Sequence, residues 1–395
     1  MDYQLPYAEL VIKRQLQLRQ GEALSINTES STIEFARLLA RLACEVTIES
    51  VQIVETEKGR IKQVYPIDPK ENEALRPKVN GVVMCHIVDL DRASYYSEKS
   101  PMEIAKDVVE LGNFGLLAEP VELDRRLAVP WANIPYPGAT WGLQHLEGEA
   151  TEQDLWNLFA SLYRLDSPNP VSFWSEQANM LSFRKKRLNA HKAETLIMKG
   201  DGWELSMKIA KDTMWSGGEQ ELSSSRKFCS MLPLQHLYAT IDSGSAKGSL
   251  TSTRPFLLLG KLVKDATIYV SEGKAVSWQA EEGQEALDAF FSVDEGAKHL
   301  TEISLADENT RESRLLKKAS HPLFNKAMTS HIGFGGFNLE TLERHISEED
   351  LISDHLSTSL VHLDIPIGSS HLSIVTKTDD GEETVVMEEG VCLDA

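Results

Sequence analysis

The chain has 395 residues, with 40 basic against 60 acidic side chains and a formal charge of −20. That excess repels a phosphate backbone, and the longest basic cluster, Arg184 to Arg187, reads as a solvated helix face, so nucleic acid is excluded as a partner. Hydrophobic content of 42% and aromatic content of 7% are those of a globular protein, and the length predicts two domains. No window approaches the about 18 to 20 continuous apolar residues of a membrane span. The opening MDYQLPYAELVIKRQL lacks the apolar run and small-residue cleavage site of a signal peptide. Cys44, Cys85, Cys229 and Cys392 are scattered without a CxxC pair, which fits reduced thiols in a cytoplasmic protein and argues against a cysteine-built zinc site.

In chain order, residues 5–20 keep a roughly helical apolar spacing closed by Gly21, and 23–27 read as a short strand. A second helix is expected over 32–45, followed by a β-branched stretch at 46–56. The run GVVMCHIV at 81–88 has the composition of a buried parallel strand. A helix over 102–111 and a strand over 127–134 continue the alternation, which predicts an α/β layered domain. Thr151 caps a helix reaching to about residue 165, the SPNP turn breaks it, and another helix spans 171–189. Beyond Thr195 the texture changes to short β-rich runs at 195–198, 204–209, 237–241, 256–259, 267–270 and 276–278, separated by glycine turns. The expected division is an N-terminal α/β domain, 1–190, and a C-terminal α+β domain, 191–395. The acidic segment 379–389 reads as a hairpin with a solvated face.

Chemistry concentrates in the second half, where eight of the eleven histidines lie at or beyond His236. In SLVHLDIPIGS, His362 and Asp364 are two apart on a strand-like run, so both side chains face one side, either as metal ligands or as a hydrogen-bonded pair. In TSHIGFGGF, His331 leads into Gly333, Gly335 and Gly336, a glycine loop whose spacing is not that of a dinucleotide fingerprint. Glu302 lies between apolar neighbours in KHLTEISL, where it faces water or requires a cation. HExxH, GxSxG and P-loop motifs are missing, which leaves an unrelated nucleotide-binding protein without a phosphate site.

Order and spacing together are more telling than any one motif. DSPNPVSFWSEQANMLSFRKKRLN, GDGWELSMKIAKDTMWSGG, KFCSMLPLQHLYATID, KHLTEISL, LFNKAMTSHIGFG and VHLDIPIGS follow one another as do the motifs of the thermophilic aminopeptidase family, the M29 metallopeptidases. The chain resembles that family through most of its length, and VHLDIPIGS, set against the pattern H-x-D-F-M-I-G, is the most specific match.

The resemblance implies a cytoplasmic, typically homodimeric enzyme that removes N-terminal residues from short peptides with two divalent ions, zinc or cobalt, in the C-terminal domain. By position, Glu302 would bridge both metals, His331 would serve one, and His362 with Asp364 the other. Four positions depart from the family pattern. His236 stands where the family has a glutamate ligand, so imidazole replaces carboxylate. Lys326 stands where it has a glutamate, with Asn325 before it in place of an aspartate, and the family's downstream tyrosine falls near Phe337 or Asn338. An ammonium there opposes two dications unless it is neutral or one metal is absent, and Lys326 would act only as an acid or an electrostatic stabiliser unless its pKa falls considerably. The alternative function is a catalytically silent relative that binds peptides or a protein.

Overall fold

The computed structural model describes residues 2–47, 50–57, 60–67, 82–91, 99–116, 128–146, 148, 150–191, 193–211, 213–342, 356–378 and 380–393. The chain divides into two compact units: Met1–Arg92 with Glu119–Asn179 and Glu219–Leu234, and Ala93–Ala118 with Met180–Gly218 and Gln235–Ala395.

In the first unit four parallel strands, Val51–Glu57, Ala23–Glu29, Val82–Asp89 and Trp131–Tyr136, lie side by side, and Arg60–Pro66 adds an antiparallel edge. Leu24, Ile26, Val51, Ile53, Val83, Cys85 and Ile87 are buried on one face of this sheet, but the run at 81–88, expected to be buried throughout, alternates and leaves His86 exposed on the other. Gly81 and Leu127, at the expected ends of two of these strands, lie outside the described residues. Tyr7 stacks on Phe35 at 5.2 Å, and Phe159 on Tyr163 at 4.4 Å, forming an aromatic core beside the sheet. The first helix differs from expectation. Its α-helical part is Gln4–Leu10, and Val11–Gln15 continue as a π-turn that buries Arg14 against Glu219 at 2.9 Å. The helix Glu152–Tyr163 begins with a complete capping box between Thr151 and Asp154.

The second unit is antiparallel. An eight-stranded sheet runs from Lys274–Gln279 at one edge to Val391–Cys392 at the other, and it pairs Ser373–Lys377 with Glu383–Glu388, so the segment 379–389, expected to be a hairpin by itself, supplies only the second strand of one, with Asp379 outside the described residues. A five-stranded sheet has the order His362–Pro366, His331–Gly335, Leu300–Ala306, His236–Thr240, Ser216–Gly217. Strand alternation divides its side chains into two sets. Leu237, Ile303, Leu305, Ile332, Phe334, Leu363 and Ile365 are buried on one face, and the opposite face carries the polar residues.

His331–Gly335 corrects the expectation of a glycine loop, because it is a central strand of this sheet. The glycines serve packing there. A Cβ on Gly335, whose φ is +100°, would come within 2.1 Å of the Val361 carbonyl oxygen, and one on Gly333 within 2.7 Å of the Glu302 Cβ.

The capping box supplies a test of the helix start. Thr151→Ala removes the acceptor for the Asp154 N–H and is expected to lower unfolding stability by about 1 kcal/mol in urea titrations.

Candidate metal centre

Cross-strand register assembles the polar face of the five-stranded sheet. Thr240 pairs with Glu302, Glu302 with Gly333, and Gly333 with Asp364, which makes one row across four strands. The adjacent row is Tyr238, Ser304, His331 and Pro366. A register shift between Leu300 and Glu302 sets these two residues opposite the adjacent Phe334 and Gly333. Leu300 thus joins the core while Glu302 faces the site.

Glu302, His331 and Asp364 each offer a ligand atom, all within 4.8 Å of one another. His331 Nε2 is 3.4 Å from Glu302 Oε1 and 3.2 Å from Asp364 Oδ1. All three side chains are buried. Gly333 makes the convergence possible, since its missing side chain leaves the space between Glu302 and His362 open.

His362 joins through Asp364. Its Nε2 lies 2.8 Å from Asp364 Oδ1, and its Nδ1 donates to the Gly336 carbonyl oxygen at 2.6 Å. A backbone carbonyl holding Nδ1–H fixes the ring orientation and leaves Nε2 as the atom that faces the site, the usual arrangement for a ligating histidine. The metal-ligand and hydrogen-bonded-pair readings of His362 and Asp364 are therefore compatible.

Lys326 comes from the helix Pro322–Met328, which packs on the Glu302 and Asp364 strands. Its Nζ lies 3.0 Å from Glu302 Oε1 and 5.4 Å from the centroid of the Tyr238 ring. The Tyr238 hydroxyl donates to Glu340 Oε2 at 2.5 Å. Asn325 does not reach the centre; its side-chain oxygen accepts the His321 N–H at the helix start.

His236 is buried on the same face, its ring stacked on Tyr238 at 5.5 Å between centroids. It is outside the converging three, and its Nδ1 has no partner among the described residues.

Electrostatics follow from burying these groups together. Burial opposes ionisation of Glu302, yet the Lys326 ammonium and the His331 hydrogen bond prevail and bring its pKa down to about 2. Asp364 is held well below the usual carboxylate range against the same burial by His331, Lys326 and His362. Lys326 is raised above its ordinary value because Glu302 and Asp364 outweigh its desolvation, so it remains an ammonium. Asp364 likewise outweighs burial at His362 and raises it. Burial and the nearby Lys326 push His236 down to about 3.

Glu302 Oε2, His331 Nδ1, Ser304 Oγ and His236 Nδ1 are all buried without a hydrogen-bond partner among the described residues. Orphaned polar atoms of this kind are costly in a finished core, and their gathering on one face marks a site built to receive something polar. Carboxylate and imidazole are the donors that zinc and cobalt take, so the residues fit a divalent ion.

The family model described as thermophilic metalloprotease (M29) matches residues 4–391. The chain is a member of the M29 metallopeptidase family. It is 22% identical to aminopeptidase AmpS of Bacillus subtilis over 400 residues, covering 97% of both chains. Aminopeptidase T of Thermus thermophilus is 24% identical over 395 residues, covering 97% of this chain and 96% of that one. The solved structure of wild-type AmpT from Thermus thermophilus superposes with a TM-score of 0.78 at 22% identity, covering 99% of both chains, so this M29 chain has the same mixed α/β fold.

Two expectations arise from the geometry. Gly333→Ala forces a methyl into the space between Glu302 and His362 and is expected to destabilise the protein by about 1–3 kcal/mol, read as a lowered Tm. In metal-free protein, unfolded His236 binds a proton near its ordinary value of 6.5 that folded His236 refuses down to about 3. Stability therefore falls as pH drops through that window. His236→Asn should flatten this dependence between pH 7 and 4 in denaturant titrations.

Proposed function

We propose that this chain is a metal-dependent aminopeptidase that releases N-terminal residues from short peptides. The carrying observation is the buried convergence of Glu302, His331 and Asp364 on one sheet face, with Glu302 Oε2 and His331 Nδ1 lacking partners among the described residues. The names of its relatives, aminopeptidases AmpS and T, support the same reading. Glu302, His331, Asp364 and His362 are the proposed ligands, with zinc or cobalt as the ion. His236 is proposed as a neutral neighbour of the centre and Lys326 as its fixed positive charge. A cytoplasmic homodimer is the proposed setting.

A divalent ion held there would polarise the scissile carbonyl and make its water acidic enough to ionise near neutral pH. The chain's own residues supply the rest. Glu302 stays ionised, and its unpartnered Oε2 is the oxygen it would offer the ion. Lys326 holds the other carboxylate oxygen, Oε1, and so fixes which oxygen is free. His362, clamped by the Gly336 carbonyl, orients Asp364.

A second reading, a silent relative that binds peptides, is favoured by Lys326 already occupying Glu302. Elemental analysis combined with a panel of aminoacyl fluorogenic substrates separates the two. The aminopeptidase reading expects bound metal and turnover restored by zinc or cobalt. Glu302→Gln removes an ionised ligand and should lower metal affinity and kcat by about 10–100-fold or more. A chain with no metal and no turnover on any substrate overturns it, and activity that first appears in Lys326→Glu supports the silent relative.

A further inference from the structure

Lys326 brings to the centre a charge with the sign of a metal ion. Its ammonium lies 3.0 Å from Glu302 Oε1, a carboxylate oxygen of the converging set. It is also well anchored. The Tyr238 ring lies 5.4 Å from Nζ, and that ring is itself tied by its hydroxyl to Glu340 and stacked on His236. The helix carrying Lys326 is capped at its start, where the His321 ring accepts the Leu323 N–H at 3.2 Å and Asn325 accepts the His321 N–H at 3.3 Å.

Counting charge on this buried face shows the consequence. Two buried carboxylates, Glu302 and Asp364, face the ammonium, the half-buried Glu340 acts on it more weakly, and His362 adds positive charge when protonated. With His362 neutral, the carboxylates and Lys326 leave one negative charge. A single dication turns that into one positive charge, and a second would leave three positive charges in a setting that screens them poorly.

We propose that Lys326 is a built-in cation of the metal centre, occupying one oxygen of Glu302 and restricting the centre to a single divalent ion. This deepens the aminopeptidase reading and rests on its ligand set. The ion shares the site with a fixed charge, so its affinity is lower than the ligands alone would give. The Tyr238 ring and Glu340 hold that charge in place.

The test titrates cobalt(II) into full-length metal-free protein, with stoichiometry and affinity read by calorimetry and by the ion's visible absorption. Wild type should saturate at one equivalent. Lys326→Met removes the charge and should bind that equivalent about 10-fold tighter or more. Lys326→Arg keeps the charge and should bind as wild type does. Lys326→Glu should take up a second equivalent. Two equivalents in wild type overturn the proposal, as do one equivalent in Lys326→Glu, unchanged affinity in a Lys326→Met protein with native near-ultraviolet dichroism, or Lys326→Arg binding as tightly as Lys326→Met. Lys326→Gln replaces Lys326→Met if the latter fails to fold. These readouts need no turnover. The expected binding pattern without peptide cleavage overturns the aminopeptidase reading alone, and peptide cleavage with two bound ions overturns the Lys326 proposal alone.

Discussion

The antiparallel register of four strands governs the candidate centre. It aligns Thr240, Glu302, Gly333 and Asp364 in one row and Tyr238, Ser304, His331 and Pro366 in the next. Side chains alternate along a strand, so the same register that raises the polar groups on one face lowers Ile303, Ile332, Leu363 and Ile365 into the core on the other. A slip of one residue in any of these pairings would exchange the two sets. Burial of the apolar face therefore specifies the position of the candidate ligands, and the shift before Glu302 allows Leu300 to serve the core although only one residue separates them.

Charge is the second constraint. Glu302 is fully buried, and an ionised carboxylate persists there because Lys326 and His331 lie within reach. The arrangement is self-consistent without a metal and still leaves Glu302 Oε2 unpartnered among the described residues. The Tyr238 ring, itself tied to Glu340, holds the lysine in a defined place.

Much of this was legible in residue order, and the exceptions have physical causes. Parallel strands of the first unit were readable as apolar runs, although Val82–Asp89 buries only alternate residues and leaves His86 exposed. The spacing of His362 and Asp364 implied a shared side, and their 2.8 Å contact shows it. The strand at His331 was hidden, because Gly333 and Gly335 suggest a turn when their neighbours are unknown. Their role appears only once the Glu302 side chain and the Val361 carbonyl oxygen are seen to fill the space a Cβ would need. The π-turn at Val11–Gln15 was also hidden, since its apolar spacing differs little from that of an α-helix.

The sequence by itself determined the composition of the site and the alternation that separates it from the core, because strand periodicity is a local property. It also carried the family likeness, in the order of its motifs. Only the tertiary structure decided that Glu302 is enclosed rather than wet, and that the cation beside it is Lys326. It likewise decided that His331 and Asp364 meet across a glycine while His236 stays outside the converging three. Those outcomes depend on contacts between residues distant in the chain, which cross-strand register and helix packing set and local patterning does not.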